Sequence, residues 1–260
     1  MNSTGFQICQ NWPRDGRLDS AFRIQNSPFI VMRYYPIYLD LAGRSVLVVG
    51  GGTIAEGKAR QLVEAGAHVL VVSPALTESL GELAEQGKLV WRQAVFAESD
   101  LDGVWLVISA TDDQAVNEAV ARAAAERGLL CNVVDQPALC NFITPALVTR
   151  GGIQISVSSG GGSPSVTKRV KREIGELIGT EHAELLELAA EMRAEAKRLI
   201  PDFESRKQVL GEFVESEAID LLRAGKREEA RQLAFDMLQK AVQTETGEIV
   251  TAQPQRGEIK

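Results

Sequence analysis

A run of three glycines between an apolar run and a segment of helical spacing constrains this chain more than any other feature. Residues 45–74 read SVLVVGGGTIAEGKARQLVEAGAHVLVVSP. An apolar run, a glycine turn, a segment with apolar residues at three- and four-residue spacing and a second apolar run make a strand, turn, helix and strand. Such a βαβ unit aligns its two strands in parallel and lays the helix across one face of their sheet. Gly50, Gly52 and Ala55 supply the spacing G-x-G-x-x-A at the strand-to-helix junction, the context in which it signals dinucleotide binding. With no side chains at the turn, the backbone N–H groups around Thr53 and Ile54 can face a pyrophosphate, and the helix dipole adds to the attraction. Glycines alone would also suit a purely structural turn. The surrounding βαβ unit favours the nucleotide.

The alternation continues through a helix near LTESLGELAEQG, strands KLVWRQ and VWLVISA, a helix DDQAVNEAVARAAAERG and a strand LLCNVV. Strands this uniformly apolar belong in a parallel sheet covered on both faces, so residues 32–144 are expected to form a Rossmann-type domain. Ligands of such sheets bind beyond the carboxyl ends of the strands, which adds Ser73, Pro74 and Ala75 after the second strand and Ala110, Thr111 and Asp112 after the fourth. Thr111 or Asp112 would also serve as N-cap of the next helix. The second strand ends in Ser73-Pro74 where an acid usually grips the ribose 2′-hydroxyl, and no arginine adjoins it to pair with a 2′-phosphate. NAD is therefore expected over NADP, with Ser73 able to bond a hydroxyl. In CNVVDQPALCNFITP, residues 131–145, Asp135 closes the last strand. It is either a turn-former ahead of Gln136-Pro137 or a reacting carboxylate.

Beyond Asn141 the rhythm breaks. Residues 145–180 hold one alternating strand, IQISVS, a glycine-rich turn and a helix carrying Lys168, Arg169, Lys171 and Arg172. This is too little for a core of its own, so it is expected to pair with another copy or to pack on the first domain. Residues 181–243 are rich in Ala, Leu, Glu, Lys and Arg, with breaks at Pro201 and Gly225, and are expected to form three helices. Residues 1–31 and 244–260 are expected to be a disordered extension and tail.

The composition excludes several classes. A net charge of −7 argues against a nucleic-acid binder, and no apolar run approaches the length of a membrane span. With no signal-peptide pattern, the expectation is a cytoplasmic protein without a membrane partner. Cys9, Cys131 and Cys140 suggest neither a disulfide framework nor a zinc site, and His68 and His182 read as boundary residues, so no metal site is expected.

Several motifs in order, Met32-Arg33-Tyr34-Tyr35-Pro36-Ile37-Tyr38, VVGGGTIAEGKARQLVEAGA, ATDDQAVN, CNVVD, FITPALV and SVSSGGGSPSV, resemble the precorrin-2 dehydrogenase family. That family includes the N-terminal half of multifunctional sirohaem synthases as well as stand-alone enzymes. The resemblance runs from Met32 to about Val242. It implies a homodimer with an NAD domain, a central dimerisation segment over 145–180 and a helical domain. It also implies oxidation of precorrin-2 to sirohydrochlorin by hydride transfer to NAD⁺, with Fe²⁺ as a second substrate in members that go on to make sirohaem. Asp135 corresponds to the family's essential carboxylate, and Ser159 to a cleft serine that can carry a phosphate. A polycarboxylate substrate would account for Lys168, Arg169 and Arg172 in an acidic chain. Two alternatives remain: an NAD-sensing module without turnover, and an oxidoreductase for a different small acid.

Overall fold

The computed structural model describes residues 34–246, so the expected extension over 1–31 and all but the start of the expected tail lie outside the described residues. Residues 34–38 have no regular structure and lie outside the unit that begins at Leu39.

The unit from Leu39 opens as the apolar runs require. Strand β1 (Ser45–Val49) leads through the glycine turn into α1 (Thr53–Glu64) and β2 (His68–Val72). Then come α2 (Glu78–Glu85), β3 (Val90–Arg92), β4 (Leu106–Ser109), α3 (Gln114–Glu126) and β5 (Leu130–Val133). The five strands are parallel in the order β3-β2-β1-β4-β5. Val46 and Val48 of β1 pack with Ala55, Ala59 and Leu62 of α1, while Leu47 and Val49 pack with Val120, Ala123 and Ala124 of α3. Burial on both faces is why the strands carry no polar alternation. The chain reverses its winding direction between β1 and β4, and a doubly wound sheet opens its ligand crevice there.

The middle segment departs from expectation. Two strands form where one was expected, β6 (Ala146–Arg150) and β7 (Ile153–Val157), paired antiparallel around Gly151-Gly152. Two glycines between extended runs are a hairpin signal. It is masked here because Val148 alone on β6 is buried, leaving the strand without apolar alternation. Helix α4 (Pro164–Leu177) starts at Ser163, whose hydroxyl accepts the Val166 N–H, and it packs on the hairpin with no fully buried residue.

Four helices follow where three were expected: α5 (Thr180–Leu199), α6 (Phe203–Val214), α7 (Ala218–Arg223) and α8 (Arg227–Thr246). The breaks at Pro201 and Gly225 are present, and α8 runs three residues past its expected end at 243. The unforeseen break lies at Ser216, which donates its hydroxyl to the Phe213 carbonyl and accepts the Ala218 N–H. A serine that bonds its neighbours' backbone offers the chain an alternative to continuing a helix, a weaker signal than proline or glycine. Leu188, Met192, Ile200, Val209, Phe213, Leu222 and Leu238 form the core of the bundle. Arg227 and Arg231 reach from α8 to Glu187 and Glu191 on α5. Solvent-facing pairs of this kind contribute about 0–1 kcal/mol each, so the apolar core carries the assembly of these helices. Among the described residues, no helix is long and apolar enough to cross a membrane.

Candidate functional site

At the carboxyl edge of the sheet the loops after β2 and β4 close onto the glycine turn. Gly50 has φ +120°, and a Cβ there would lie 2.2 Å from the Ala110 carbonyl oxygen. A Cβ on Gly51 would lie 1.9 Å from the Ala75 oxygen and 2.7 Å from Ser73 Oγ. Ser73, Ala75 and Ala110, expected at the site from their strand-end positions, are therefore in contact with the turn. The tightest constraint falls on Gly51, which the G-x-G-x-x-A spacing leaves free.

Gly52 is different. It caps α1 without any side-chain hydrogen bond, and a Cβ on it would meet nothing within 4 Å. Gly52, Thr53 and Ile54 are exposed. The first N–H groups of α1 are thus uncapped and open to close approach, which fits the pyrophosphate of a dinucleotide.

After β2, the Ser73 hydroxyl donates to the Ala75 carbonyl at 2.7 Å, so Ser73 can meet a ribose hydroxyl only as an acceptor. Pro74 is exposed beside it. A cluster that sequence reasoning missed ties α1 to the start of α2: Glu56 accepts from Thr77 Oγ1 at 2.8 Å and from Arg60 Nε at 3.2 Å, and Arg60 also reaches Ser79. The hydroxyls of Thr77 and Ser79, then Arg60, hold the Glu56 carboxyl below its usual range. Another missed contact is Lys58 Nζ donating to Thr144 Oγ1 at 2.7 Å, which joins α1 to the FITP segment; desolvation lowers the pKa of this ammonium.

After β4, the cap of α3 is Asp113, one residue beyond Asp112 and two beyond Thr111, the two expected candidates. Asp113 Oδ1 accepts the N–H groups of Ala115 and Val116, while Thr111 Oγ1 accepts the Asp113 N–H. Asp112 is exposed. Buried Asn117 shapes this loop, accepting from Ser109 Oγ at 2.7 Å and donating to the Thr111 carbonyl at 3.0 Å. An asparagine on the buried stripe of an otherwise apolar helix was the available signal.

Asp135 follows β5, is exposed, and has φ +58°; it is the one non-glycine residue with positive φ among the described residues. A left-handed torsion costs an L-residue about 1–2 kcal/mol, least for Asp and Asn, and strain of this kind concentrates at working sites. The loop carrying it folds back along the outer edge of β5. Asn141 acts as a short length of strand there, accepting the Cys131 N–H at 2.8 Å, donating its own N–H to the Cys131 carbonyl at 3.1 Å and bonding the Leu129 carbonyl at 2.7 Å. Gln136 Nε2 reaches Gln114 Oε1 at the head of α3.

Burial, and then the neighbouring Cys140, push the Cys131 thiol up to about 11. An unfolded thiol ionises first, so this contribution to stability is intact below about pH 8.5 and is lost as pH rises towards the folded value. A Cys131→Val variant should accordingly show a flatter dependence of the urea midpoint on pH between about 9 and 11 than the parent. Equal slopes would mean that Cys131 does not titrate as described.

The structure places Ser159, Lys168, Arg169 and Arg172 on the β7–α4 segment, where their hydrogen bonds and ion pairs stay local. Ser159 Oγ accepts from the Ser163 N–H and from Thr167 Oγ1. Arg169 pairs with Glu173 at 2.7 Å, and Arg172 with Glu176 at 3.8 Å. Lys168 and Lys171 are exposed and have no acidic partner within ion-pair distance among the described residues. A groove of about 390 Å³ lies between α3 and residues 138–141; neither the glycine turn nor Asp135 lines it, so it is not the candidate site. Among the described residues, no group of three or more His, Cys, Asp or Glu could hold a metal ion.

Three family models match the chain in succession. One described as putative NAD(P)-binding covers residues 37–146, one described as sirohaem biosynthesis protein central covers 150–177, and one described as sirohaem synthase dimerisation region covers 182–238. The region so described falls on the helices from α5 onward, whereas dimerisation was expected over 145–180. Siroheme synthases of Nitrosococcus oceani and Azotobacter vinelandii are 37% and 39% identical over 218 residues, 84% of this chain and 47% of their own length. The chain thus spans about half the length of these curated relatives. The solved structure of SirC, a precorrin-2 dehydrogenase, matches with a TM-score of 0.68 and 30% identity, over 78% of this chain and 100% of that one.

Proposed function

Because the chain belongs to the family of precorrin-2 dehydrogenase and sirohaem synthase, we propose that it oxidises precorrin-2 to sirohydrochlorin with NAD⁺ as the acceptor. The observation that carries this reading is the exposed, left-handed Asp135 at the carboxyl end of the same sheet whose glycine turn leaves the first N–H groups of α1 open. The backbone of Gly52, Thr53 and Ile54 would hold the pyrophosphate. Ser73, Pro74 and Ala75 would line the adenosine ribose, and Ala110, Thr111 and Asp112 the other half of the dinucleotide. Arg92, whose carbonyl accepts the Ser73 N–H, commits its guanidinium to Asp100 and to the Val95 carbonyl rather than to a 2′-phosphate, which supports NAD over NADP. When bound, the nicotinamide accepts hydride.

Loss of hydride from a reduced tetrapyrrole must be accompanied by loss of a proton. Asp135 would take it as general base. Lys168 and Lys171 would meet substrate carboxylates. Arg169 and Arg172 would join them by releasing Glu173 and Glu176, since exposed i,i+4 pairs cost under about 1 kcal/mol to break. The same reading gives a cytoplasmic homodimer, with Ser159 beside the substrate. A second step, insertion of Fe²⁺ into sirohydrochlorin, would use Asp135 again to take pyrrole protons, with the metal as substrate. Insertion of Fe²⁺ or Co²⁺ at a rate above the uncatalysed one is expected, and a rate equal to it would confine the chain to dehydrogenation. The test of the dehydrogenase itself is formation of NADH when precorrin-2 is supplied.

A further inference from the structure

Resting on the reading of Asp135 as the reacting carboxylate, we propose that Cys140 is its positioning residue, the side chain that holds the loop after β5 in the conformation presenting Asp135. Strand β5 is outermost, so the N–H and C=O groups of Cys131 and Val133 on its outer side have no neighbouring strand. Asn141 satisfies Cys131. At Val133, the last outward-facing residue before Asp135, the partner is the thiol of Cys140. Its sulfur accepts the Val133 N–H at 3.2 Å and lies 3.2 Å from the Val133 carbonyl oxygen and 3.3 Å from that of Gln136.

One atom therefore grips the backbone on both sides of Asp135. A thiol has one proton to donate and a sulfur that accepts, which matches two carbonyls that share the donor and two N–H groups, that of Val133 and, at 3.6 Å, the Asn132 side-chain amide. The bracketed segment, Val133 to Gln136, contains the only left-handed non-glycine residue among those described, a conformation that persists only where the surroundings over-determine it. The Gln136 N–H also bonds the Val133 carbonyl, and a 3₁₀ turn over Pro137–Leu139 carries the chain back so that Cys140 reaches the strand. Alanine at 140 would leave the Val133 N–H without its partner and free the loop to relax Asp135 towards negative φ. Serine would keep a donor and an acceptor at slightly shorter reach.

The test compares full-length Cys140→Ala and Cys140→Ser with the parent in steady-state turnover of precorrin-2, in NAD⁺ titration and in crystal structures. For Cys140→Ala the expected result is a fall in kcat of about 10- to 100-fold, the scale of a misplacement of order 1 Å, with NAD⁺ affinity within about twofold. Cys140→Ser should recover most of the rate, and Asp135 should leave positive φ in the alanine variant alone. Retention of positive φ at Asp135 in Cys140→Ala overturns the proposal, as does unchanged kcat or a loss of NAD⁺ affinity parallel to the loss of rate. If the parent itself fails to turn over precorrin-2, the functional reading falls, and the φ of Asp135 in the alanine variant still decides what Cys140 does.

Discussion

Asp135→Asn should bind NAD⁺ as the parent does and produce almost no NADH from precorrin-2. Asparagine is isosteric with aspartate and shares its tolerance of the left-handed region, so the loop after β5 keeps its shape while the base is lost. A positioned general base contributes about 10²- to 10⁴-fold, and kcat should fall by that factor with NAD⁺ affinity changed less than about twofold. Asp135→Ala is a less clean test, because it puts a residue without a polar side chain at φ +58° and lets a relaxed loop pass for a lost carboxylate. Asp135→Gly separates the two effects. It removes strain at a position that favours glycine, so it should melt no lower than the parent while turning over as poorly as Asp135→Asn. Parental turnover in Asp135→Asn would remove the carboxylate from the chemistry.

The second large effect lies at the glycine turn, where adjacent residues should fail in different ways. In Gly51→Ala the new methyl meets the backbone oxygen of Ala75, and that loop is fixed because the Thr77 N–H donates to the Gly51 carbonyl. Overpacking against backbone costs about 1–3 kcal/mol, so stability and NAD⁺ affinity should fall together, read by urea denaturation and by titration. In Gly52→Ala the methyl meets no protein atom and points where a pyrophosphate would approach. Stability should stay within about 0.5 kcal/mol of the parent while NAD⁺ affinity drops by about tenfold or more. A Gly52→Ala protein that binds NAD⁺ normally would move the dinucleotide away from this turn.

These contrasts also mark what could be read from the residues in advance. The sheet was legible because β1, β2 and β4 are short apolar runs between well-marked helices, and the spacing of Gly50, Gly52 and Ala55 marked the turn from β1 into α1. Gly51 was not, since its constraint is a carbonyl from residue 75, a tertiary contact that spacing within the turn does not encode. Asp112 and Asp113 are adjacent carboxylates, and which one caps α3 depends on where β4 releases the chain. The break at Ser216 and the strand β6 were hidden by weak local signals: a serine in place of a proline, and a strand with one buried residue. The pairs Arg169–Glu173 and Arg172–Glu176 were visible as i,i+4 spacing and weigh against counting all four cations of α4 as free. Asp135 could be placed at a strand end but not in the left-handed region, because a backbone torsion has no compositional signature. The thiol that brackets it becomes apparent only when residues 133, 136 and 140 are seen together.

The most direct measurement supplies enzymatically generated precorrin-2 and NAD⁺ to the protein and follows NADH and sirohydrochlorin in the same sample. The expected result is one NADH per sirohydrochlorin, at a rate proportional to protein concentration and abolished in Asp135→Asn. Saturable NAD⁺ binding with neither product formed would contradict a dehydrogenase and leave a nucleotide-sensing module in its place.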